Sequence, residues 1–213
     1  MPRRMPRLDF SFAREAKRAL QLAEAGVKIR AGSPPNSIVL KEFTIARLEA
    51  LYEVAFLKVF LVWETFLEQS FYRYLCGHTS GLGSCTLRHP ASPNIAAAET
   101  TVLGGSDYVS WANSAVVVRR AQRFMTVGFH ETVLLSDATR LAHFTSIRNR
   151  VAHPSLYARR KFDGATWFLA TRMYPGSSAG RFLRDQAVAA PVPKTWLEEI
   201  AGELVSLAQQ ICA

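Results

Sequence analysis

The sequence predicts an all-α protein, most simply an antiparallel helical bundle with a long second helix. Three observations carry this prediction. Apolar residues recur at helical spacing through several long segments, runs of glycine, proline and polar residues separate those segments, and few stretches alternate as strands do. With 213 residues, of which 49% are hydrophobic and 20% charged, the chain is expected to fold as a single domain, residues 1–213, around a buried core.

The first two helices are predicted from their apolar patterns. Apolar residues recur every three or four positions across residues 9–30, and the glycine- and proline-containing run at 31–37 ends that helix. The second helix is predicted over residues 38–75, because neither glycine nor proline occurs before Gly77. Its apolar residues cover more than one side, which is typical of a helix at the centre of a bundle or at a dimer interface.

Acidic residues form a stripe along this second helix. Its four members fall within roughly 100° of one another around the helix axis. They suit pairing with arginines from another helix, or they are simply the solvated face of their own. The stripe consists of Glu49, Glu53, Glu64 and Glu68.

The middle of the chain is less regular. Residues 77–105 are rich in small and polar residues and are predicted to be a long loop, or a partly ordered segment with a short helix near 95–99. A short helical turn is predicted at 106–111. Asn113 is expected to cap a helix over residues 114–125.

Three more helices complete the prediction. Their spans are residues 131–152, 156–173 and, within the C-terminal segment 190–213, residues 194–211. Residues 180–193 are not assigned, because Pro191 and Pro193 stop any helix from running through the end of that segment.

One short stretch concentrates chemically capable side chains at the end of a predicted helix. Arg148, Asn149 and His153 lie within six positions, and Asn149 and His153 share a helix face. Pro154 disfavours helical backbone at His153, so the imidazole should lie at a helix C-terminus, where the macrodipole favours its cationic form. A proton-transferring group, a fixed cation and an amide suit phosphodiester chemistry without a metal. Alternatively, the arginine and histidine are ordinary caps of the last carbonyls.

Charge is concentrated around this stretch. The net charge of the chain is +9, and the window from Arg119 to Lys161 holds nine basic and two acidic residues, a net charge of +7. Such a window suits a polyanion such as RNA, DNA or an anionic membrane surface. It is equally compatible with a solvated basic face.

The remaining composition bears on compartment and cofactors. No apolar run reaches the ~18 residues of a membrane span, and the basic N-terminus lacks the apolar region of a signal peptide. The three cysteines are odd in number and lack metal-ligand spacing: Cys76, Cys85 and Cys212. We therefore expect a cytoplasmic protein with reduced thiols, no membrane partner, no metal and no cofactor.

The stretch Arg148-Asn149-Arg150-Val151-Ala152-His153 resembles the signature of the HEPN superfamily, an arginine followed after four to six residues by a histidine, often with an asparagine directly after the arginine. Three further segments look like the RiboL-PSP-HEPN branch, in the same order along the chain. They are residues 63–77, residues 108–113 with the basic helix that follows, and residues 147–153. The resemblance covers roughly residues 45–185.

The resemblance implies a metal-independent endoribonuclease that acts as a homodimer, with two copies of the motif forming one composite RNA site. Members occur in toxin–antitoxin, phage-defence and RNA-processing systems, so an antitoxin or another neighbouring-gene partner is possible. Carried onto this chain, His153 would be the general acid/base for attack of the 2′-OH on the adjacent phosphate, and Arg148 would stabilise the developing charge. Asn149 would orient the phosphate or the histidine, and Glu64 would position Arg148.

Basic residues in the charged window are expected to bind the RNA: Arg119, Arg120, Arg123, Arg150, Arg159 and Arg160. One position departs from the toxin branch that nucleotidyltransferase antitoxins modify. That branch has a tyrosine two residues after the histidine, whereas this chain has Ser155, so that modification is not expected. The alternative interpretation is a non-catalytic HEPN protein that binds nucleic acid or serves as a dimerisation or assembly subunit.

Overall fold

The computed structural model describes residues 3–187 and 193–212, with Ser177 described by its backbone alone. Pro191 and part of the segment 190–213 lie outside these residues. Within them the chain forms ten α-helices, a short 3₁₀ helix and one hairpin of two-residue strands, so the all-α class is confirmed. The antiparallel bundle stays a prediction. The helices are α1 (Leu8–Gly32), α2 (Ile38–Glu42), α3 (Ile45–Leu75), α4 (Ile95–Leu103), α5 (Ser114–Phe124), α6 (Phe129–Ser136), α7 (Ala138–Ala152), α8 (Leu156–Ala170), α9 (Ala179–Arg184) and α10 (Trp196–Cys212).

The predicted helix over residues 38–75 is two helices, α2 and α3, so that prediction was wrong at its start. Phe43 leaves the helical region (φ −93°, ψ 71°), and its carbonyl accepts a hydrogen bond from Arg30 Nη1 at 2.5 Å. The Thr44 hydroxyl then accepts from the Arg47 backbone N–H at 3.3 Å and begins α3. The chain thus ends one helix at Phe43 and starts the next at a capping threonine, without any glycine or proline at the break.

The predicted helix over residues 131–152 is likewise divided, into α6 and α7. Asp137 lies between them with φ −118° and ψ 21°, and its carbonyl accepts the first bond of α7 from Leu141 N–H at 2.9 Å. Aspartate favours such caps over helix interiors. Capping by Asn113 is confirmed, because its side chain accepts from Ala115 N–H at 3.1 Å.

Between α3 and α5 the alternative with a short helix is confirmed. The hairpin strands β1 (Thr79–Ser80) and β2 (Gly83–Ser84) precede α4, which Asn94 caps at its start and Gly104 ends in the left-handed region. The predicted helical turn at 106–111 was wrong, because residues 106–110 form no helix. In the C-terminal half, α8 ends at Ala170, three residues before the predicted end, because Thr171 adopts a left-handed conformation (φ 54°).

The chain forms two compact units. The first unit comprises Met1–Ala13, Val62–Ala142 and Leu204–Ala213, and the second comprises Arg14–Leu61 and His143–Glu203. The single domain over residues 1–213 stays a prediction.

An aromatic cluster centred on Phe71 forms the core of the first unit. The Phe71 ring lies 5.5 Å from that of Trp111, 6.5 Å from Phe124 and 5.2 Å from His130, measured between ring centroids. Polar groups at its edge are paired, since Glu68 Oε1 accepts from Trp111 Nε1 at 3.1 Å. These side chains fix the C-terminal half of α3 against α5 and α6.

The second unit has its own aromatic core, in which Phe182 stacks on Trp196 with ring centroids 5.2 Å apart. Two members of the acidic stripe, Glu49 and Glu53, contact α9 in this unit. Glu49 Oε1 accepts from Arg184 Nη2 at 3.3 Å, and Glu53 Oε1 accepts from Gly180 N–H at 2.8 Å. A Cβ at Gly180 would lie 2.6 Å from the Glu49 carbonyl carbon, so this helix contact requires glycine. The expected pairing with an arginine of another helix is therefore found at Glu49.

Candidate functional site

The predicted motif lies at the C-terminal end of α7. Ile147 is fully buried and anchors this end of the helix in the second unit. The helix ends at Ala152, and His153 N–H still donates to Asn149 C=O at 2.9 Å. Pro154 then prevents any continuation. His153 is thus the first residue past the helix, where partial negative charge from the last carbonyls accumulates.

The three motif side chains differ in exposure. His153 is exposed, whereas Arg148 and Asn149 are half-buried. Arg148 Nη1 donates to Asn149 Oδ1 at 3.4 Å, the long end of the hydrogen-bond range. This places a guanidinium and a carboxamide side by side, with the imidazole reachable from solvent. A fixed cation, an amide and an accessible proton-transfer group can together bind an anionic group and move a proton beside it.

Glu64, predicted to position Arg148, lies on α3 in the part that belongs to the first unit, and its side chain is half-buried. The motif belongs to the second unit. The role of Glu64 therefore stays a prediction.

The predicted RNA-binding arginines occupy two helices of different units and the end of α7. On α5, Arg119 and Arg123 are exposed, whereas Arg120 is half-buried and donates from Nη1 to the Val102 carbonyl at the end of α4. That hydrogen bond gives Arg120 a structural role, because it joins α5 to the end of α4. Of the remaining three, Arg159 and Arg160 are exposed on α8 and Arg150 is half-buried on α7.

Sequence reasoning missed the exposed aromatic residues of α8. Tyr157 is 72% exposed and Trp167 60% exposed, and both follow the motif along the chain. Phe168, 53% exposed, stacks on His143 with ring centroids 4.3 Å apart. The available signal was the helical wheel of residues 156–173, in which aromatic and basic residues share one side.

Sequence reasoning also missed a buried histidine in the first unit. His130 is fully buried, and its Nε2 lies 2.8 Å from Ser70 Oγ. Burial lowers the pKa of His130 to about 3. The imidazole is therefore neutral at ordinary pH and takes no part in surface chemistry.

Residues 3–187 and 193–212 contain neither a candidate metal centre nor a candidate membrane-spanning helix. No group of three or more histidine, cysteine, aspartate and glutamate side chains is placed to hold a metal ion. In the same ranges, no helix has both the length and the apolar character needed to cross a membrane. Comparison with protein-family models, curated proteins and solved structures finds no match.

Proposed function

We propose that this chain is a metal-independent endoribonuclease of the HEPN type, acting as a homodimer in the cytoplasm as a toxin, phage-defence or RNA-processing effector. The observation that carries the proposal is the exposed imidazole of His153 at the end of α7, one helical turn beyond the adjacent Arg148 guanidinium and Asn149 amide. The resemblance of this motif to the HEPN signature supplies the reaction. If the protein is a toxin, an antitoxin encoded beside it is the expected partner.

In the proposed reaction, the ribose 2′-oxygen attacks the adjacent phosphorus and the bond from phosphorus to the 5′-oxygen breaks. The products are a 2′,3′-cyclic phosphate and a 5′-hydroxyl. His153 accepts the proton of the 2′-OH or donates one to the leaving 5′-oxygen, and a second copy of the motif supplies the complementary transfer. Arg148 stabilises the charge that develops on the phosphate oxygens, and Asn149 orients the phosphate.

The decisive experiment compares purified wild-type protein with the His153→Ala variant on single-stranded RNA, each with and without a chelator. We expect the variant to cleave ~100- to 10,000-fold more slowly, because general acid/base groups contribute rate factors of this order. Product ends are identified by their 2′,3′-cyclic phosphate. His89→Ala is the matched control, because His89 is also exposed but has no assigned role.

Two results would contradict the ribonuclease proposal. One is cleavage that the chelator abolishes and His153→Ala leaves intact. The other is an absence of product from wild-type protein that nevertheless binds RNA, which would favour the non-catalytic alternative.

A specific observation favours that alternative as an assembly subunit. Val54 and Leu61 lie seven residues apart on the same side of α3 and are 55% and 58% exposed. Apolar residues on the outer side of a long helix are typical of a surface that another chain covers. Tight self-association with RNA affinity no stronger than that of an unrelated basic protein would support this function over cleavage.

A further inference from the structure

The exposed face of α8 combines aromatic rings with cations. At ~100° per residue, Tyr157, Arg160, Lys161, Gly164 and Trp167 fall within roughly 120° around the helix axis. All five are solvent-exposed. The opposite side of the helix carries the buried residues, among them Phe162 and Ala165. Tyr157 and Trp167 lie on the exposed side and are not among the core residues of this unit.

The order of groups along α8 suits a strand of nucleotides. Tyr157 comes first, then the two cations, then Gly164 and then Trp167, a span of ~15 Å at 1.5 Å per residue. Lys161 Nζ lies 5.7 Å from the centroid of the Tyr157 ring, so a cation already accompanies one of the rings. No atom of the described residues lies within 4 Å of where a Cβ at Gly164 would be, and Gly164 is solvent-exposed between the two rings.

We propose that this face, the α8 platform, binds single-stranded RNA by stacking bases on Tyr157 and Trp167 while Arg160 and Lys161 contact the phosphates. This deepens the proposed function and rests on it for the identity of the nucleic acid as a substrate. Unpaired bases stack on aromatic side chains whatever their sequence, and cations beside the rings follow the backbone. The platform starts four residues after His153, at most ~15 Å along the chain, so RNA held on it extends toward the motif.

Charge favours RNA over a second copy of this chain as the occupant. A two-fold contact between two such faces would bring Arg160 and Lys161 of both copies together. Asp163 is the only acidic residue of α8, and it is half-buried at the edge of the face. Like charges without an intervening acid oppose self-association, whereas a polyanion is attracted.

Trp167 provides a direct reporter. It is 60% exposed, whereas the other three tryptophans of the chain are between 1% and 4% exposed: Trp63, Trp111 and Trp196. Iodide, which reaches only exposed indoles, should therefore quench Trp167 selectively. Bound single-stranded RNA should quench part of the Trp167 fluorescence. It should also prevent iodide from quenching the rest of the Trp167 fluorescence.

The test uses the full chain carrying His153→Ala, so that the RNA stays intact, with fluorescein-labelled oligouridylate as the probe and its duplex with oligoadenylate as the comparison. We expect Trp167→Ala and Tyr157→Ala each to weaken binding of the single strand about tenfold, since stacking contributes strongly per base. Duplex binding should change little, because its bases are already stacked. Tyr108→Ala is the matched control, because Tyr108 is 65% exposed in the other unit.

The salt dependence separates stacking from charge. Arg160→Ala and Lys161→Ala should each reduce the slope of log affinity against log salt by roughly 0.7, the value for one phosphate contact on a single strand. Trp167→Ala should leave that slope unchanged. Substitution of a residue that only supports the fold would not selectively change single-strand affinity over duplex affinity, nor the salt slope.

Two outcomes would overturn the platform. Single-strand affinity that is unchanged in both aromatic variants would exclude stacking there. Conversion of a dimer into a monomer by Trp167→Ala, measured by light scattering, would show instead that the face joins two copies. If wild-type protein cuts no RNA but the aromatic variants still lose single-strand affinity, the platform stands and only the ribonuclease proposal fails.

Discussion

Two histidines of this chain occupy opposite physical environments. His130 is completely enclosed in the first unit, between the rings of Phe71 and Tyr74, whereas His153 is exposed at the end of α7 in the second. The first is bound at Nε2 by Ser70 and is held neutral by burial, with its pKa lowered to about 3. The second is available to solvent. The difference shows that environment, and not residue type, decides which histidine can exchange protons with a ligand.

The hydrogen bonds around His130 indicate its tautomer. The Ser70 hydroxyl has one proton, and Oγ lies 2.8 Å from the Phe66 carbonyl, which only accepts. Ser70 Oγ therefore accepts from His130, and the ring carries its proton on Nε2. This leaves Nδ1 as a buried acceptor without a partner among the described residues. The opposite tautomer would leave a buried donor unpaired, which is the costlier arrangement.

Removal of each imidazole ring in turn should have very unequal effects on stability. We expect His130→Ala to lower the free energy of unfolding by about 3 kcal/mol, because it leaves a cavity in an aromatic core and deprives Ser70 of its donor. His153→Ala should change stability by less than about 0.5 kcal/mol, since its side chain is exposed. Urea unfolding at pH 7.5 and fixed protein concentration measures both. Equal effects would refute the assignment of one histidine to the core and the other to the surface.

Lowering the pH should also separate the two histidines, with a somewhat smaller change in the free energy of unfolding than that of His130→Ala. The pKa of His130 is about 3 in the folded chain and ~6.5 when unfolded. Between these values the unfolded chain binds a proton that the folded chain does not, so stability falls as the pH falls. The slope approaches ~1.36 kcal/mol per pH unit below pH 6, and integrated from pH 6.5 to pH 5 this group lowers the free energy of unfolding by about 1.6 kcal/mol.

The control for this pH dependence is His130→Leu, which removes the titrating group and keeps much of its volume. The difference between wild-type and variant stability should change by that amount over the stated pH range, while His153→Ala should retain the wild-type slope. A wild-type curve parallel to that of His130→Leu would mean that the imidazole has the same pKa in the folded and the unfolded chain, and would refute the effect of burial.

The helical class followed from the sequence because apolar periodicity reports burial directly. In the C-terminal helix, the apolar residues that recur at helical spacing are buried, among them Trp196, Leu204 and Ile211. The breaks at Thr44 and Asp137 were missed because apolar periodicity continues on both sides of them, whereas each break depends on the backbone and side chain of one or two residues. Such local competition between a side chain and the helix has little signature in hydrophobic pattern.

Only part of the candidate site could be predicted from the sequence, because only part of it depends on local rules. The position of His153 past the end of α7 follows from Pro154, a local rule that acts between adjacent residues. The enclosure of His130 by Ser70, sixty residues earlier in the chain, depends on tertiary packing that no local spacing reports. The same applies to Arg120, whose guanidinium binds the Val102 carbonyl at the end of another helix.

The smallest expected change in stability concerns Gly164 on the exposed face of α8. Gly164 lies in the interior of α8, and within the part of the chain that the structure describes no atom stands within 4 Å of the place where a Cβ would be. Gly164→Ala should therefore stabilise the fold by ~0.5–1 kcal/mol. Gly180→Ala, which must displace the Glu49 backbone, should destabilise it and provides the contrast. Thermal unfolding measures whether each variant is more or less stable than wild type.

Gly164 lowers the stability of α8 but leaves room for a ligand on the exposed aromatic face. Single-strand RNA affinity should therefore fall in Gly164→Ala while stability rises. Unchanged affinity would leave Tyr157 and Trp167 as the contacts and remove Gly164 from the platform.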